Sequence, residues 1–514
     1  MAALPQVYET VVAMLAAAAA ESPQQEAIVC DGTRLSYAQY LRCVSWFAHE
    51  LVTLGGRGQR IGLVLGNCAD ICIAMFAIHA AGAQAVPCNP LYTERELRAI
   101  FSDADLHAVI YADDKRSVVE GLADELHIPQ RICIGSGRRL TEWQNAADVE
   151  LPQPPPSGAD LATLQYTGGT TGRSKGVNLT HACIAVNLSQ REALVPVRQG
   201  VERLLCVMPL FHVYAVAMCL HNMAYARGVL VILPKYTPEG VFATLAEERI
   251  SIFAGSPTLF IGLQSHPGFA QADFSRLSVT YSGSAALPEE LLRRWEVATG
   301  APVIEGYGQS EAGPVISFNP VHGTRKAGSV GVPVPQTQVQ VVDLQEGSRA
   351  LPNGEKGEIR VRGPQVMSNY RNLPVETSEA LRDGWLYTGD IGEFDAEGYL
   401  YIRDRKKEMA KVSGFNVFPR EIEEVLYLHP AVQEAAVVAL PDSYRGEMIK
   451  AFVVLRPEAS AQSEELLEHC RQNLTRYKIP AQLAIVPALP KTGVGKLDKN
   501  QLRAEQNVNG SDSH

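Results

Sequence analysis

The sequence predicts an α/β protein with a large N-terminal domain of helices layered on parallel or mixed sheets, a small β-rich subdomain within it, and a small α+β C-terminal domain. Three observations predict this. From residue 27, short β-rich runs alternate with helical apolar spacing, the pattern left by parallel strands joined through right-handed crossovers. From about residue 327 the texture changes to short strands separated by Gly, Pro and Asn turns. Beyond the charged strip Ile402-Arg-Asp-Arg-Lys-Lys-Glu408, a run of helix, strand, strand and helix makes a compact unit of usual domain size. The N-terminal core is therefore expected over 1–402, with the β-rich subdomain at about 327–402, and the C-terminal domain over 408–514.

The elements follow in order. Val11–Ala20 is a run of small and apolar residues, too short to span a bilayer. No Lys or Arg precedes Arg34, so the charged front of a secretory signal is missing, and the run reads as an ordinary first helix. Ala27–Cys30 and Arg34–Ser36 read as strands, and Tyr37–Leu54 as a helix with apolar residues at Tyr40, Leu41, Val44, Phe47 and Leu51. Arg60–Leu65, Ala85–Pro87 and Ala108–Tyr111 are β-rich, with helical runs Asp70–Ala81 and Thr93–Asp103 between them. The proline-rich connector Leu151–Gly158 can continue neither regular element. Then come strand-like Leu161–Tyr166, a glycine-rich loop, and a helix over Thr180–Leu194.

The middle segment repeats the alternation. Leu204–Met208, Leu230–Leu233, Ile252–Ala254 and Ser278–Ser282 are strand-like, and Pro238–Arg249 and Glu289–Thr299 are helical. Val339–Asp343, Gly357–Arg362 and Tyr399–Ile402 are the short strands of the β-rich subdomain. The C-terminal unit has a helix over Pro419–His429, strands over Val432–Leu440 and Ile449–Leu455, and a helix over Ser463–Leu474. Val508–His514 is polar and is expected to fray.

Composition excludes several classes. The net charge is −10 and the pI about 5.7, which argues against non-specific nucleic-acid binding. The ten cysteines form no Cys-x-x-Cys pair and mostly sit in apolar stretches, as in Leu204-Leu-Cys-Val-Met208. Buried free thiols in a reducing cytoplasm are the expected state.

The stretch that organises the chain is Tyr166-Thr-Gly-Gly-Thr-Thr-Gly-Arg-Ser-Lys-Gly-Val177. Glycine lets backbone amides approach a ligand, hydroxyls add donors, and the lysine adds charge, so the loop suits a polyphosphate. On its own it also fits a surface loop of small residues. It is not a Walker loop, because Lys175 follows Ser174 rather than preceding a Ser or Thr. Five further pieces accompany it: Tyr281-Ser-Gly-Ser-Ala-Ala-Leu287, Gly306-Tyr-Gly-Gln-Ser-Glu-Ala-Gly313, Trp385-Leu-Tyr-Thr-Gly-Asp390, the charged strip with Arg405 and Lys407, and Pro490-Lys-Thr-Gly-Val-Gly-Lys-Leu-Asp498.

Together, in this order, these pieces resemble the adenylate-forming superfamily of acyl-CoA synthetases, luciferases and adenylation domains, over nearly the whole chain. Asn89–Leu97, Gly363–Tyr370 and Asp404–Pro419 are similar to bacterial medium- and long-chain fatty acyl-CoA synthetases. Gly168 and the absence of proline at Ser174 agree with that subgroup. Two departures stand out: the stretch between about 112 and 157 is shorter than in typical long-chain members, and Ser310 stands where the family more often has Thr.

The resemblance implies a two-step reaction using ATP, Mg²⁺ and coenzyme A. A carboxylate attacks the α-phosphorus of ATP, and the thiol of coenzyme A then displaces AMP. It implies that Lys496 bridges carboxylate and α-phosphate, while Thr167, Gly168, Gly169, Thr170, Thr171, Gly172 and Lys175 hold the outer phosphates. Glu311 would bind Mg²⁺, Ser310 would bond the phosphate, and Tyr307 would stack on adenine with Gly283, Ser284 and Ala285 along the base. Gly306 and Gly308 would flank the nucleotide and the acyl group. Asp390 and Arg405 would hold the ribose. In the family the C-terminal domain is mobile: residues 403–407 match the hinge, Lys407 sits at the hinge position, and Lys411 and Gly414 would meet coenzyme A after rotation.

The acyl pocket is expected from His212, Val213, Tyr214, Phe211, Ser256–Phe260, Gly306 and Gly308, with His212 near the carboxylate. This lining is apolar or small, and no cation stands beside Gly306 in the sequence for a distal carboxylate. A hydrophobic tail is favoured, since each buried methylene contributes about 0.8 kcal/mol. An aryl or phenylpropanoid acid, or a carrier-protein thiol as acceptor, remains open, as do peripheral membrane contact and oligomeric state.

Overall fold

The computed structural model describes residues 4–135, 137–167, 174–412, 415–442, 446–492 and 495–511, with side chains described to 506. Two large sheets form the N-terminal region. One runs, edge to edge, through Val332–Pro333, Val315–Phe318, Val303–Gly308, Val279–Ser282, Ile252–Gly255, Arg203–Cys206, Val229–Ile232, Glu26–Cys30 and Thr33–Ser36. Its central strands are parallel, as the alternating pattern requires, and the two ends turn antiparallel. The other contains Asn369–Tyr370, Lys175–Thr180, Leu161–Thr167, Gln84–Pro87, Arg60–Val64, Ala108–Ala112 and Gln130–Ile134.

Between these sheets lie the helices Tyr37–Thr53 and Ala69–Ala80. The first starts at a capping box, in which Ser36 and Gln39 satisfy each other's amides. The second is buried on every side, which explains why its apolar residues cover the whole circumference.

The β-rich subdomain is an antiparallel sheet ordered Gln338–Val342, Gly357–Arg362, Trp385–Phe394 and Leu381–Arg382, with Leu400–Arg405 also paired to Trp385–Phe394. The C-terminal sheet is built around the hairpin Val432–Asp442 and Gly446–Leu455, covered by the helices Pro419–Tyr427 and Ser463–Asn473 and carrying its own core. Among the described residues no helix is long and apolar enough to cross a membrane.

Four local differences from expectation have physical causes. Lys175–Thr180 is a strand paired antiparallel with Leu161–Thr167, so a second strand stands between the glycine-rich segment and the helix His181–Leu194. Gly176 and Asn178 are poor strand formers and mask this strand in the sequence. Packing compensates: Asn178 accepts from Gln84 and donates to Asn369. Second, Arg116–Glu125 is a helix and Gln130–Ile134 an edge strand, within a stretch where no element was assigned. Third, Trp385–Phe394 is a strand that the sequence does not declare, and it carries Asp390 inside it, just past Gly389 at φ 70°. Last, the helix Lys499–Ser511 runs into the segment expected to fray.

Candidate active site

A large cleft of about 1750 Å³ lies where these units meet. The parallel strands Ile252–Gly255, Val279–Ser282 and Val303–Gly308 point their C-terminal ends toward it, the usual place for a ligand in an open α/β sheet. At the end of the second strand, Ser284 holds φ 71°, a left-handed conformation that costs energy outside glycine, and its hydroxyl is buried without a partner among the described residues. Ser282, Gly283 and Ser284 line the cleft; the strained turn carries Ala285 outward, where it is exposed and off the lining.

Glycine is required at two of these positions by close approach. A Cβ at Gly283 would lie 2.7 Å from the Tyr214 ring, and one at Gly306 would lie 2.5 Å from Phe318. Tyr214 is held over Gly283 by its hydroxyl, which donates to the carbonyls of Gly255 and Tyr281 at 3.3 and 3.4 Å. With Phe211, Val213, Met218, Val315 and Phe318 it gives one end of the cleft an apolar lining. Met218, Val315 and Phe318 were not foreseen, because nothing in their sequence neighbourhood separates them from ordinary core. The expected contribution of Ser256–Phe260 is not made. Phe260 is buried against Trp295 with ring centroids 4.8 Å apart, and the helix Pro257–Gln264 presents Thr258 to the C-terminal loop instead.

The strand Val303–Gly308 delivers Tyr307, and the short turn after it delivers Gln309, Ser310 and Glu311. Tyr307 donates through its hydroxyl to Asp390 Oδ2, and Gln309 Nε2 donates to the same oxygen at 2.7 Å. Arg405 Nε meets Asp390 Oδ1 at 2.8 Å. Asp390 itself is 2% exposed and stands just behind the wall that Gly389, Tyr307 and Arg405 line. Gln309 is part of this cluster and was missed, since an amide between a glycine and a serine carries no distinguishing signal.

Glu311 lines the cleft and accepts from the Tyr370 hydroxyl at 2.8 Å. Thr167, Ser174, Lys175 and Ser310 line the same region. Gly168, Gly169, Thr170, Thr171 and Gly172 lie outside the described residues, as does Gly414.

Lys496 reaches the cleft from the C-terminal unit on the loop after Gln482–Ile485. The loop is closed by hydrogen bonds from the Thr492 amide to the Lys496 carbonyl, 2.7 Å, and from the Lys496 amide to Thr492 Oγ1, 3.2 Å. Burial, and then the charge of Arg405, lower the Lys496 ammonium to about 8, against a smaller opposing pull from Asp390. His212 lies within the field of this lysine. Burial first and Lys496 second hold its imidazole down at about 3, so it is neutral. Its Nδ1 accepts from the Tyr214 amide at 3.3 Å, which leaves the proton on Nε2. Lys407 is exposed on the turn after Leu400–Arg405 and lines the cleft, whereas Lys411 is exposed on a C-terminal strand and does not.

The arrangement offers a buried cation, a carboxylate beside Thr167, Ser174 and Lys175, a hydrogen-bonded Tyr307–Gln309–Asp390–Arg405 cluster and an apolar lining. Residues 15–371 match the model of the AMP-binding enzyme family, and residues 421–496 match its C-terminal domain. The chain belongs to the AMP-binding enzyme family. A relative in Bacillus subtilis named long-chain-fatty-acid–CoA ligase is 37% identical, covering 98% of this chain and 96% of its own length. A feruloyl-CoA synthase from Amycolatopsis is 34% identical over 94% of this chain and 96% of its own. Among solved structures, an anthranilate CoA ligase in complex with anthranoyl-AMP superposes with a TM-score of 0.92 at 28% identity, covering 99% of both chains. As an AMP-binding enzyme, the chain has the α/β architecture and two-part organisation of these relatives.

Proposed function

We propose that this enzyme activates a medium- or long-chain fatty acid with ATP through an acyl-adenylate, then transfers the acyl group to coenzyme A, releasing AMP and pyrophosphate. The observation that carries this reading is the meeting of Lys496, Glu311 and the Tyr307–Asp390–Arg405 cluster in one cleft with an apolar end. Relatives named as long-chain-fatty-acid–CoA ligases, similar along nearly the whole chain, support the acid class.

In the first step two anions must meet, so fixed positive charge has to offset their repulsion. Lys496 takes that role at the carboxylate and α-phosphate. His212, neutral and carrying its proton on Nε2, donates to the acyl carboxylate or its developing carbonyl. Tyr307 flanks the adenine beside Gly283 and Ser284. The ribose hydroxyls replace the Tyr307 hydroxyl as donors to Asp390, and Arg405 stays on the other oxygen. The glycine-rich segment, with Thr167 and Lys175 flanking it, holds the leaving pyrophosphate.

Glu311 suits Mg²⁺, which takes one or two carboxylates and completes its shell with phosphate oxygens and water. The ion would neutralise phosphate charge. In the second step residues 403–407 turn about Lys407, Lys496 leaves, and the face with Lys411 and Gly414 admits coenzyme A. The free thiols of the ten cysteines suit a cytoplasmic setting.

An aryl acid is the second reading, favoured by the similarity to a feruloyl-CoA synthase and by a Tyr214 ring pinned at the pocket. Pyrophosphate release measured across C6 to C18 fatty acids and cinnamates separates the two. A higher kcat/KM for cinnamates overturns the fatty acid reading. Replacing coenzyme A with a carrier protein tests the acceptor.

A further inference from the structure

We propose that Tyr370 is a positioning residue for the nucleotide: its hydroxyl orients the Glu311 carboxylate while its ring face holds the Lys175 ammonium, tying the metal side of the site to the phosphate hairpin. This rests on the adenylate-forming reading, and on Glu311 as the Mg²⁺ ligand.

The backbone makes the connection first. Asn369–Tyr370 pairs with the hairpin strand, Tyr370 opposite Val177, and the Arg371 amide donates to the Gly176 carbonyl at 2.8 Å. Three residues upstream of Tyr370, the Met367 amide donates to the Glu311 carbonyl at 2.8 Å. The Tyr370 amide itself donates to Thr377 Oγ1 at 3.1 Å, which fixes the segment from the far side. One short stretch is thus stapled both to the strand that leaves the phosphate loop and to the turn that carries Glu311.

The side chain repeats the bridge at the ligand end. The phenol donates to Glu311 Oε1 at 2.8 Å, and Lys175 Nζ lies 4.8 Å from the ring centroid, over its face. Taking one lone pair of Oε1 fixes the plane of the carboxylate and leaves Oε2 for a ligand, the service that outer-shell partners give to metal-binding carboxylates. The ring meanwhile attracts a cation that must otherwise be held against its own entropy before phosphate arrives. A tyrosine needed only for packing would use its ring and not its hydroxyl, so the two halves separate experimentally.

The test is calorimetric titration of ATP into the full-length enzyme, in EDTA and across graded MgCl₂, for wild type, Tyr370→Phe and Tyr370→Leu. Tyr370→Phe keeps the ring and its packing. It is expected to raise the Mg²⁺ concentration needed for half-maximal tightening of ATP by about tenfold, with ATP affinity in EDTA unchanged. Tyr370→Leu adds a loss in EDTA of about threefold from the freed Lys175. On a Glu311→Gln background, Tyr370→Phe should have no further effect. A Tyr370→Phe enzyme that titrates like wild type, or that keeps its full effect on the Glu311→Gln background, overturns the proposal. A wild type whose ATP affinity ignores Mg²⁺ overturns it together with the Glu311 assignment. If wild type binds MgATP but releases pyrophosphate with no fatty acid, only the acid class fails, and the Tyr370 result still stands.

Discussion

Asp390 and Arg405 face each other across one antiparallel ladder, and their side chains close the same pairing at 2.8 Å. The ladder therefore sets this cluster, proposed to hold the ribose: strand register, not loop shape, brings the carboxylate to the arginine. Tyr307 and Gln309 add two donors to the other oxygen. Asp390→Asn keeps the shape but offers one acceptor oxygen, and turns an amide group toward a donor. Removing one partner of a buried, hydrogen-bonded charge costs about 2 kcal/mol or more, roughly thirtyfold in affinity. ATP binding measured by calorimetry should weaken by that order, and unchanged affinity would remove Asp390 from the nucleotide site.

The Lys496 ammonium, brought down to about 8 mainly by burial, makes the adenylation step pH-sensitive on its alkaline side. Below that value the lysine carries its charge; above it the charged fraction falls. The kcat/KM for pyrophosphate release reports the free enzyme and should drop by about tenfold per pH unit well above the transition. Lys496→Arg should flatten this limb. His212 is held at about 3 and contributes no acid limb at ordinary imidazole pH. Lys496→Ala should slow adenylation by about a hundredfold or more, yet spare thioester formation from supplied acyl-adenylate. Equal loss in both half-reactions would show the role misassigned.

How far the site was legible in the sequence differs from residue to residue. Tyr307, Glu311, Lys496 and the glycine-rich segment were legible as a set, because six motifs in one order resemble a family, whereas each alone also fits an ordinary loop. The alternation of strand and helix was plain because buried parallel strands leave short continuous apolar runs and amphipathic helices a 3.6-residue period. What stayed hidden depends on long-range partners. Tyr370 is one more tyrosine after an asparagine until the Lys175–Thr180 strand brings it beside Glu311. Phe318 becomes pocket lining only because Gly306 leaves room for it. Ser256–Phe260 read as lining because an apolar run after a strand looks the same whether it faces a cleft or a core.

Away from the cleft, His79, His181 and His221 form a buried group around Phe76, with His79 5.3 Å from His181 and 6.4 Å from His221 between ring centroids. His221 has no partner for either ring nitrogen among the described residues. Burial lowers all three, His181 to about 4, where Asp160 opposes it, and His221 to about 3. A lowered folded pKa means that the unfolded chain binds protons first. Stability is therefore full above the unfolded value and falls as pH drops below it, by about 2 kcal/mol per histidine at pH 5. Urea denaturation at pH 7 and pH 5 should show this loss. His221→Leu should recover about 2 kcal/mol at pH 5 and cost little at pH 7, because an apolar group replaces an unsatisfied polar one. A variant with the same pH slope as wild type would refute it.

Thr258 Oγ1 donates to the Gly495 carbonyl at 2.8 Å, a direct tether between the helix Pro257–Gln264 and the loop that presents Lys496. It belongs to the arrangement in which Lys496 lines the cleft, and a rotated C-terminal unit would have to break it. Thr258→Val keeps the shape and removes the bond, which is worth about 1 kcal/mol, or roughly fivefold. Adenylation should fall by that factor, while thioester formation from supplied adenylate should hold or rise, since the competing arrangement is favoured. Lys407→Pro acts in the opposite sense: fixing φ at the turn after Leu400–Arg405 should leave pyrophosphate release largely intact and suppress acyl transfer to coenzyme A. The two variants, assayed side by side in both half-reactions, should therefore fall on opposite sides of wild type. If both depress the same step, the turn at Lys407 is not the hinge between them.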